Sequence, residues 1–227
     1  MLRPKQKTSS LIHPKNPSGT IFSSLDMERL EMITDNTVII ILSDEVYEHI
    51  IFDVQKYQSA YLFPALKKYS FITASFGKTF HNNGCKVGYC CGPENLMHES
   101  IKVHQFNVFS VNHPVQVALA KYLEQPKHYN LLPEFYQNKR DLFLAAIVNS
   151  NFSFKTKQAT YFQTLKYSTI SNEGDVGFAK RLTIEVGIAS IPISVFNKNQ
   201  QDNKTLRFGF AKTDETLFKA AEILNKL

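Results

Sequence analysis

Apolar residues follow two rhythms along this chain, and the change comes near its middle. "TVIIILS" (37–43) is a continuous apolar run rich in β-branched residues. Such a run predicts a strand buried on both faces, as in a parallel sheet covered by helices. "SFITAS" (70–75) and "VGYCCG" (87–92) repeat the theme more weakly. Ahead of them, Ser23 with Asp26 three residues later reads as a capping box that opens an amphipathic helix through "LDMERLEMI". Strand, helix, strand, loop, strand points to α/β architecture. From Pro93 the apolar spacing lengthens to three and four residues, predicting helices over "PENLMHESIKVHQF", "PVQVALAKYLEQ" and "YNLLPEFYQNKRDLFLAAIVNS". Pro133 interrupts the third pattern early, so that helix starts near it or is kinked. After Ser150 come the strand candidates "FSFK", "TYFQTLKY", "GIASIPI" and "TLRFGFA", with helices around "GDVGFAKRLTIEVG" and "DETLFKAAEILNKL". Strands separated by single helices suggest a smaller α+β unit. The seam is placed in the helical region, giving expected domains of 1–120 and 121–227.

"HPKNPSGT" (13–20) is a cluster of breakers and predicts a tight, polar loop. Composition narrows the partners. The 227 residues are 43% hydrophobic and 20% charged, an ordinary globular balance. The net charge of +6 is spread over "RPKQK", "LKKY", "NKRD" and "FKTKQ", which does not suggest nucleic acid. Cys85, Cys90 and Cys91 crowd one segment with neither C-x-x-C spacing nor a histidine pair. Neither a metal site nor a disulfide scaffold is indicated, and reduced thiols in a cytoplasmic protein are expected. No stretch approaches the roughly 20 apolar residues of a membrane span. "MLRPKQKTSS" is basic but lacks the apolar segment of a secretion signal.

Candidate chemistry begins at "SDEVYEHI" (43–50), where the apolar strand runs out. Ligands of parallel α/β sheets bind at that strand end. Asp44 there can hold a cationic nitrogen, and Tyr47 can donate to a nearby oxygen; equally, Asp44 and Glu45 suit the positive end of a helix. Asn16 in "KNPSG" is a polar ligand or simply a turn residue bonding its own backbone. "SFGKTFHNNGCKVGY" (75–89) changes the balance. Lys78 follows the next strand beside glycine, with Ser75 and Lys86 near enough in sequence to hold an anion. A lysine, an anion clamp, an aspartate and a hydroxyl donor form the set that pyridoxal phosphate requires: the cofactor binds lysine as a Schiff base and pairs its ring nitrogen with a carboxylate.

These segments resemble the class I/II aminotransferases of the fold-type-I pyridoxal phosphate enzymes, in particular the subgroup acting on methionine, glutamine, kynurenine and aromatic amino acids. "NPSGT", "SDEVYEHIIFD", "SFGKTFHNNGCKVGYC", "KVHQFNVFSVN", "FYQNKRDLF", "TYFQ" and "LRFGFAK" occur in the family's order. The resemblance implies roles. Lys78 is the Schiff-base lysine that shuttles the α-proton, and Asp44 the partner of the pyridinium nitrogen. Asn16 and Tyr47 bond the phenolic oxygen, and Ser75 and Lys86 contact phosphate. Arg207 takes the substrate α-carboxylate, with Asn16 close to the substrate, because a planar guanidinium matches a carboxylate bidentately. Phe109 reaches across a homodimer interface into the neighbour's substrate pocket. "HQFNVFSVNHP" offers no second arginine for a side-chain carboxylate, which favours a neutral donor.

The match is not uniform. Family members begin well before "NPSG", so the resemblance covers roughly the C-terminal three-fifths of a full enzyme: an incomplete large domain of mostly parallel sheet plus the smaller α+β domain. The subgroup's usual tryptophan before Lys86 is Cys85 here, Ala159 stands for a glycine, and "SSLIHP" is a poor version of the expected strand. The expected function is therefore a transaminase between a neutral amino acid and a 2-oxo acid, impaired in this chain alone or completed by an N-terminal partner chain. The alternatives are a pyridoxal-phosphate-dependent C–S lyase using the same residues and a non-catalytic, dimerising module. A nucleotide-binding domain is disfavoured, since the chain has neither G-x-G-x-x-G nor a Walker-type loop.

Overall fold

A computed structural model describes residues 7–227, and in it these residues divide into two compact units: 7–14 with Ile21–Leu132, and Lys15–Thr20 with Pro133–Leu227. In the first unit, strands β1 (Thr8–Ile12), β2 (Ile40–Asp44), β3 (Ser70–Ser75) and β4 (Gly88–Cys91) form one sheet in that order. The first three run parallel and β4 is antiparallel to β3. Helices α1 (Ser24–Thr34), α2 (Pro64–Lys68), the single turn α3 (Phe76–Thr79), α4 (Glu94–Asn107), α5 (His113–Leu123) and α6 (Lys127–Asn130) complete this unit.

The predicted capping box is present. Ser23 Oγ accepts from the Asp26 amide at 3.2 Å, and Asp26 Oδ2 accepts from the Ser23 amide at 3.0 Å. Together they satisfy amides that the first helical turn leaves without partners. Helix α1 then lays Met27 against Ile39, Ile41, Ala60, Phe63 and Leu66, the core on one face of the sheet. The other face is less covered than the apolar run implies. Strand alternation sends Leu42 and Ile12 to it, and they remain 42% and 43% exposed. A run such as "TVIIILS" reports that both sets of side chains are apolar, not that an element lies over each. β4 departs further, with every residue exposed although its sequence predicts a share in the buried theme. Gly88 lets it approach β3: a Cβ there would lie 2.5 Å from the Ala74 carbonyl oxygen.

In the second unit, β5 (Phe162–Lys166), β6 (Ile191–Pro192) and β7 (Thr205–Gly209) form an antiparallel sheet with β7 in the middle. With them go α7 (Leu132–Ala146), α8 (Asp175–Arg181) and α9 (Asp214–Leu224). Pro133 thus sits at the start of α7 rather than kinking it, where its missing amide costs nothing. "FSFK" forms only an isolated bridge from Ser153 to Lys166. The buried Gln163 side chain bonds the Lys155 carbonyl at 3.0 Å and accepts from the Lys157 amide at 3.3 Å, so a side chain takes the place of a further ladder. The loop Lys15–Thr20 belongs here too. It is closed by Lys15 N–H to Thr20 O at 2.9 Å and Gly19 N–H to Lys15 O at 2.7 Å. Gly19 has φ +63°, and a Cβ on it would come within 2.9 Å of the Ala159 carbonyl oxygen, so glycine is required on both counts. Among the described residues, no helix is long and apolar enough to cross a membrane.

Candidate active site

Parallel pairing sets the first group of candidates at one end of the sheet. Asp44 ends β2, opposite Thr73 of β3, and Ser75 ends β3. No helix follows β2. Residues 46–49 form turns, and Asp44 Oδ1 accepts from the Val46 amide at 3.3 Å. Asp44 therefore caps a turn, on the sheet face that carries Leu42. Tyr47, in those turns, is 3% exposed. Lys78 lies half-buried in α3, directly after β3, a turn held by the Phe80 amide to Phe76 O at 2.8 Å and by the Phe76 amide to Val87 O at 3.2 Å. Lys86 is exposed, has left-handed backbone at φ +51°, and stands just before β4. Since Ser75 pairs with Gly88, the register brings Ser75, Lys78 and the Lys86 segment to the strand end where Asp44 lies. Phe109 is a different case. It follows α4 with φ +65°, is 80% exposed, and donates its amide to His104 O at 2.9 Å.

The second unit joins two residues far apart in sequence. Strand alternation turns Leu206 and Phe208 into the core and Arg207 to the other face of β7. An Arg207 Nη1 hydrogen donates to Asn16 Oδ1. The guanidinium carbon also lies 4.1 Å from the centre of the Phe162 ring and 5.5 Å from that of Phe196. Aromatic faces favour the cation and limit the rotamers open to it. Asn16 is thus more than a turn residue, and the two rings are site features that sequence reasoning missed. Phe162 lies inside the "TYFQ" motif, but only the fold reveals its partner.

Other polar residues were missed as well. Glu45, read as a helix-end charge, is 1% exposed. Its carboxylate accepts from Ser43 Oγ at 2.7 Å and from the Ala60 amide at 3.0 Å, pinning the segment before α2 to β2. Its neighbour Tyr57 is pushed well up by burial first and by the Glu45 charge next. His13, in the loop expected to be polar, is 1% exposed and stacked on Tyr57 with ring centres 5.1 Å apart. Its Nδ1 accepts from the Phe22 amide at 3.0 Å, and burial lowers its pKa to about 4.

Residues 4–224 match the family model of aminotransferase class I and II. The chain is 43% identical over 215 residues to a methionine aminotransferase of Escherichia coli, covering 94% of this chain and 56% of that protein. It is 34% identical to a kynurenine–oxoglutarate transaminase of Dictyostelium discoideum, over 98% and 57% of the two chains. Among solved structures, the Escherichia coli protein YbdL, described as having a methionine aminotransferase function, superposes with a TM-score of 0.97 at 41% identity, over all of this chain and 60% of that one. An N-succinyldiaminopimelate aminotransferase from Mycobacterium tuberculosis gives a TM-score of 0.92 at 26% identity, over 99% and 59%. The chain therefore spans somewhat under three-fifths of the length of these two curated relatives, the methionine and kynurenine enzymes.

Proposed function

The chain belongs to the class I and II aminotransferases, with the fold-type-I architecture, and we propose that it moves an amino group from a neutral L-amino acid to a 2-oxo acid with pyridoxal phosphate as cofactor. One observation carries this reading: Lys78 directly follows β3, while the adjacent parallel strand β2 ends in Asp44. That donor set suits the cofactor chemically, with an amine for its aldehyde, a carboxylate for its ring nitrogen, and Ser75 and Lys86 for its phosphate. When bound, the cofactor supplies the electron sink that makes the amino acid Cα–H acidic. Lys78 Nζ would take that proton and return it. Asp44 would hold a proton at the ring nitrogen, and Tyr47 and Asn16 would be the hydrogen-bond partners of the phenolic oxygen. Arg207 grips the substrate α-carboxylate through its fork, with Phe162 and Phe196 restraining the guanidinium.

Methionine is the first donor to test, because the relative at 43% identity is named for it and "HQFNVFSVNHP" carries no arginine for an acidic side chain. Phe109, exposed after α4, would supply an apolar contact across a homodimer. The test starts with absorbance of the purified chain with pyridoxal phosphate. A visible band is expected, absent in Lys78→Ala, together with transfer from methionine to a 2-oxo acid. Lys78→Ala should slow turnover by at least about 100-fold, the scale of a lost proton-transfer group. A band and a rate that both survive this substitution would remove Lys78 from the reaction.

A further inference from the structure

A cavity of about 260 Å³ opens in the first unit, and none of the residues assigned a role above lines it. Phe76 and Phe80, from the turn that holds Lys78, line it with Tyr89, Tyr129, Glu48 and His49. The rings are grouped. Phe76 and Phe80 lie parallel with centres 6.1 Å apart, Tyr89 is 5.3 Å from Phe76, and Tyr129 is 5.2 Å from His49. Glu48 is the one carboxylate of the lining, which contains neither lysine nor arginine. Its Oε1 accepts the Tyr89 hydroxyl hydrogen and lies 3.7 Å from His49 Nε2. Oε2 has no hydrogen bond among the described residues.

Burial lowers the His49 pKa against the opposing pull of Glu48, so the imidazole is neutral at pH 7. Tyr89 is 36% exposed, yet the part of it that faces the cavity is desolvated; that partial burial raises its pKa, with the Glu48 hydrogen bond next, so the phenol keeps its proton and remains a donor. The lining thus offers a carboxylate with no cation beside it, inside aromatic walls. A neutral apolar guest would strip water from Glu48 without replacing it. An anion would meet a like charge. A cation carrying alkyl groups satisfies both the carboxylate and the ring faces. The volume lies below the roughly 300–1,000 Å³ of pockets for drug-sized ligands, which limits the guest to a small head group.

We propose that this cavity binds a small organic ammonium ion, its charge against Glu48 and its alkyl groups against Phe76, Phe80, Tyr89 and Tyr129. This site depends on neither the cofactor nor the proposed transamination.

The test is an NMR titration of the 227-residue chain with choline and, in parallel, with its uncharged isostere 3,3-dimethylbutan-1-ol, following the tyrosine ring resonances. Choline should shift Tyr89 and Tyr129 and saturate, with the alcohol at least about tenfold weaker, the ratio that 1.4 kcal/mol of charge recognition gives. Glu48→Gln should bring choline to the level of the alcohol, and Phe80→Leu should weaken choline severalfold. Equal affinity for the two probes, undiminished choline binding in Glu48→Gln, or no choline-dependent shift at all would each overturn the proposal. If Glu48→Gln loses its circular dichroism signal, the ratio of the two probes on the unaltered chain decides.

Discussion

In the second unit most elements bury large side chains: Phe178 of α8, Leu206 and Phe208 of β7, and Leu217 and Leu224 of α9 are all nearly inaccessible. In the first unit, α4 buries none of its 14 residues, and Ile101, Val103 and Phe106 remain 61%, 68% and 88% exposed. β4 is likewise exposed throughout. The two regions have similar apolar content but use it differently. One spends its large side chains on internal packing, which stabilises the unit by roughly 1.5–3 kcal/mol for each fully buried chain. The other presents a surface of the kind that marks an interaction site or an association hazard. Truncating the same residue type should therefore have opposite consequences in the two units.

The largest effect is expected from Phe178→Ala. Its ring is fully buried and lies 4.2 Å, centre to centre, from that of Tyr167, so the cavity should cost about 3–5 kcal/mol in denaturant unfolding. A cost below about 1 kcal/mol would mean that the second unit is looser than its packing indicates.

Next comes a response to acid confined to the first unit. His13 has its pKa depressed to about 4, against 6.5 for a free histidine. The unfolded chain therefore binds a proton there at higher pH than the folded chain does. The stabilisation is fully present above about pH 6.5 and is lost as the pH falls towards 4, reaching about 3 kcal/mol at the low end. Hydrogen exchange should show amides near β1 and Tyr57 losing protection across that window, and His13→Gln should flatten the loss. Equal acid sensitivity of β5 and β7 would break the distinction between the units.

The smallest effect on stability belongs to Phe106→Ala. At 88% exposure its removal should change unfolding free energy by no more than about 0.5 kcal/mol, while self-association in sedimentation experiments should fall.

How far the sequence reveals all this depends on the range of the interaction. The capping box of Ser23 and Asp26 and the strand 70–75 followed at once by Lys78 are local patterns, and the structure contains them. The α/β character follows from the same local signals. What the sequence hides is the partner across the fold. "TVIIILS" does not say that Leu42 lies on a partly open face, because periodicity records the chemistry of a side chain and not what covers it. Nothing near Glu45 announces that Ser43 and Ala60 enclose its carboxylate, and nothing near His13 places Phe22 and Tyr57 on its ring. Arg207 could be singled out from "LRFGF", but the aromatic rings around its guanidinium come from other strands and turns.

The short loop from Lys15 to Thr20 has a consequence for anyone who wishes to cut this molecule apart. It clusters with residues 133–227 although the chain on both sides of it belongs to the other unit. The second unit is thus discontinuous: the chain enters it at Lys15, leaves it after Thr20 and enters it again at Pro133. A gene segment encoding only 133–227 would omit Asn16, whose side chain accepts from Arg207, and Gly19, which lies against the Ala159 carbonyl. A faithful excision needs a permuted gene in which the hexapeptide is rejoined through a linker, so that both ends of the loop are supplied to the same body.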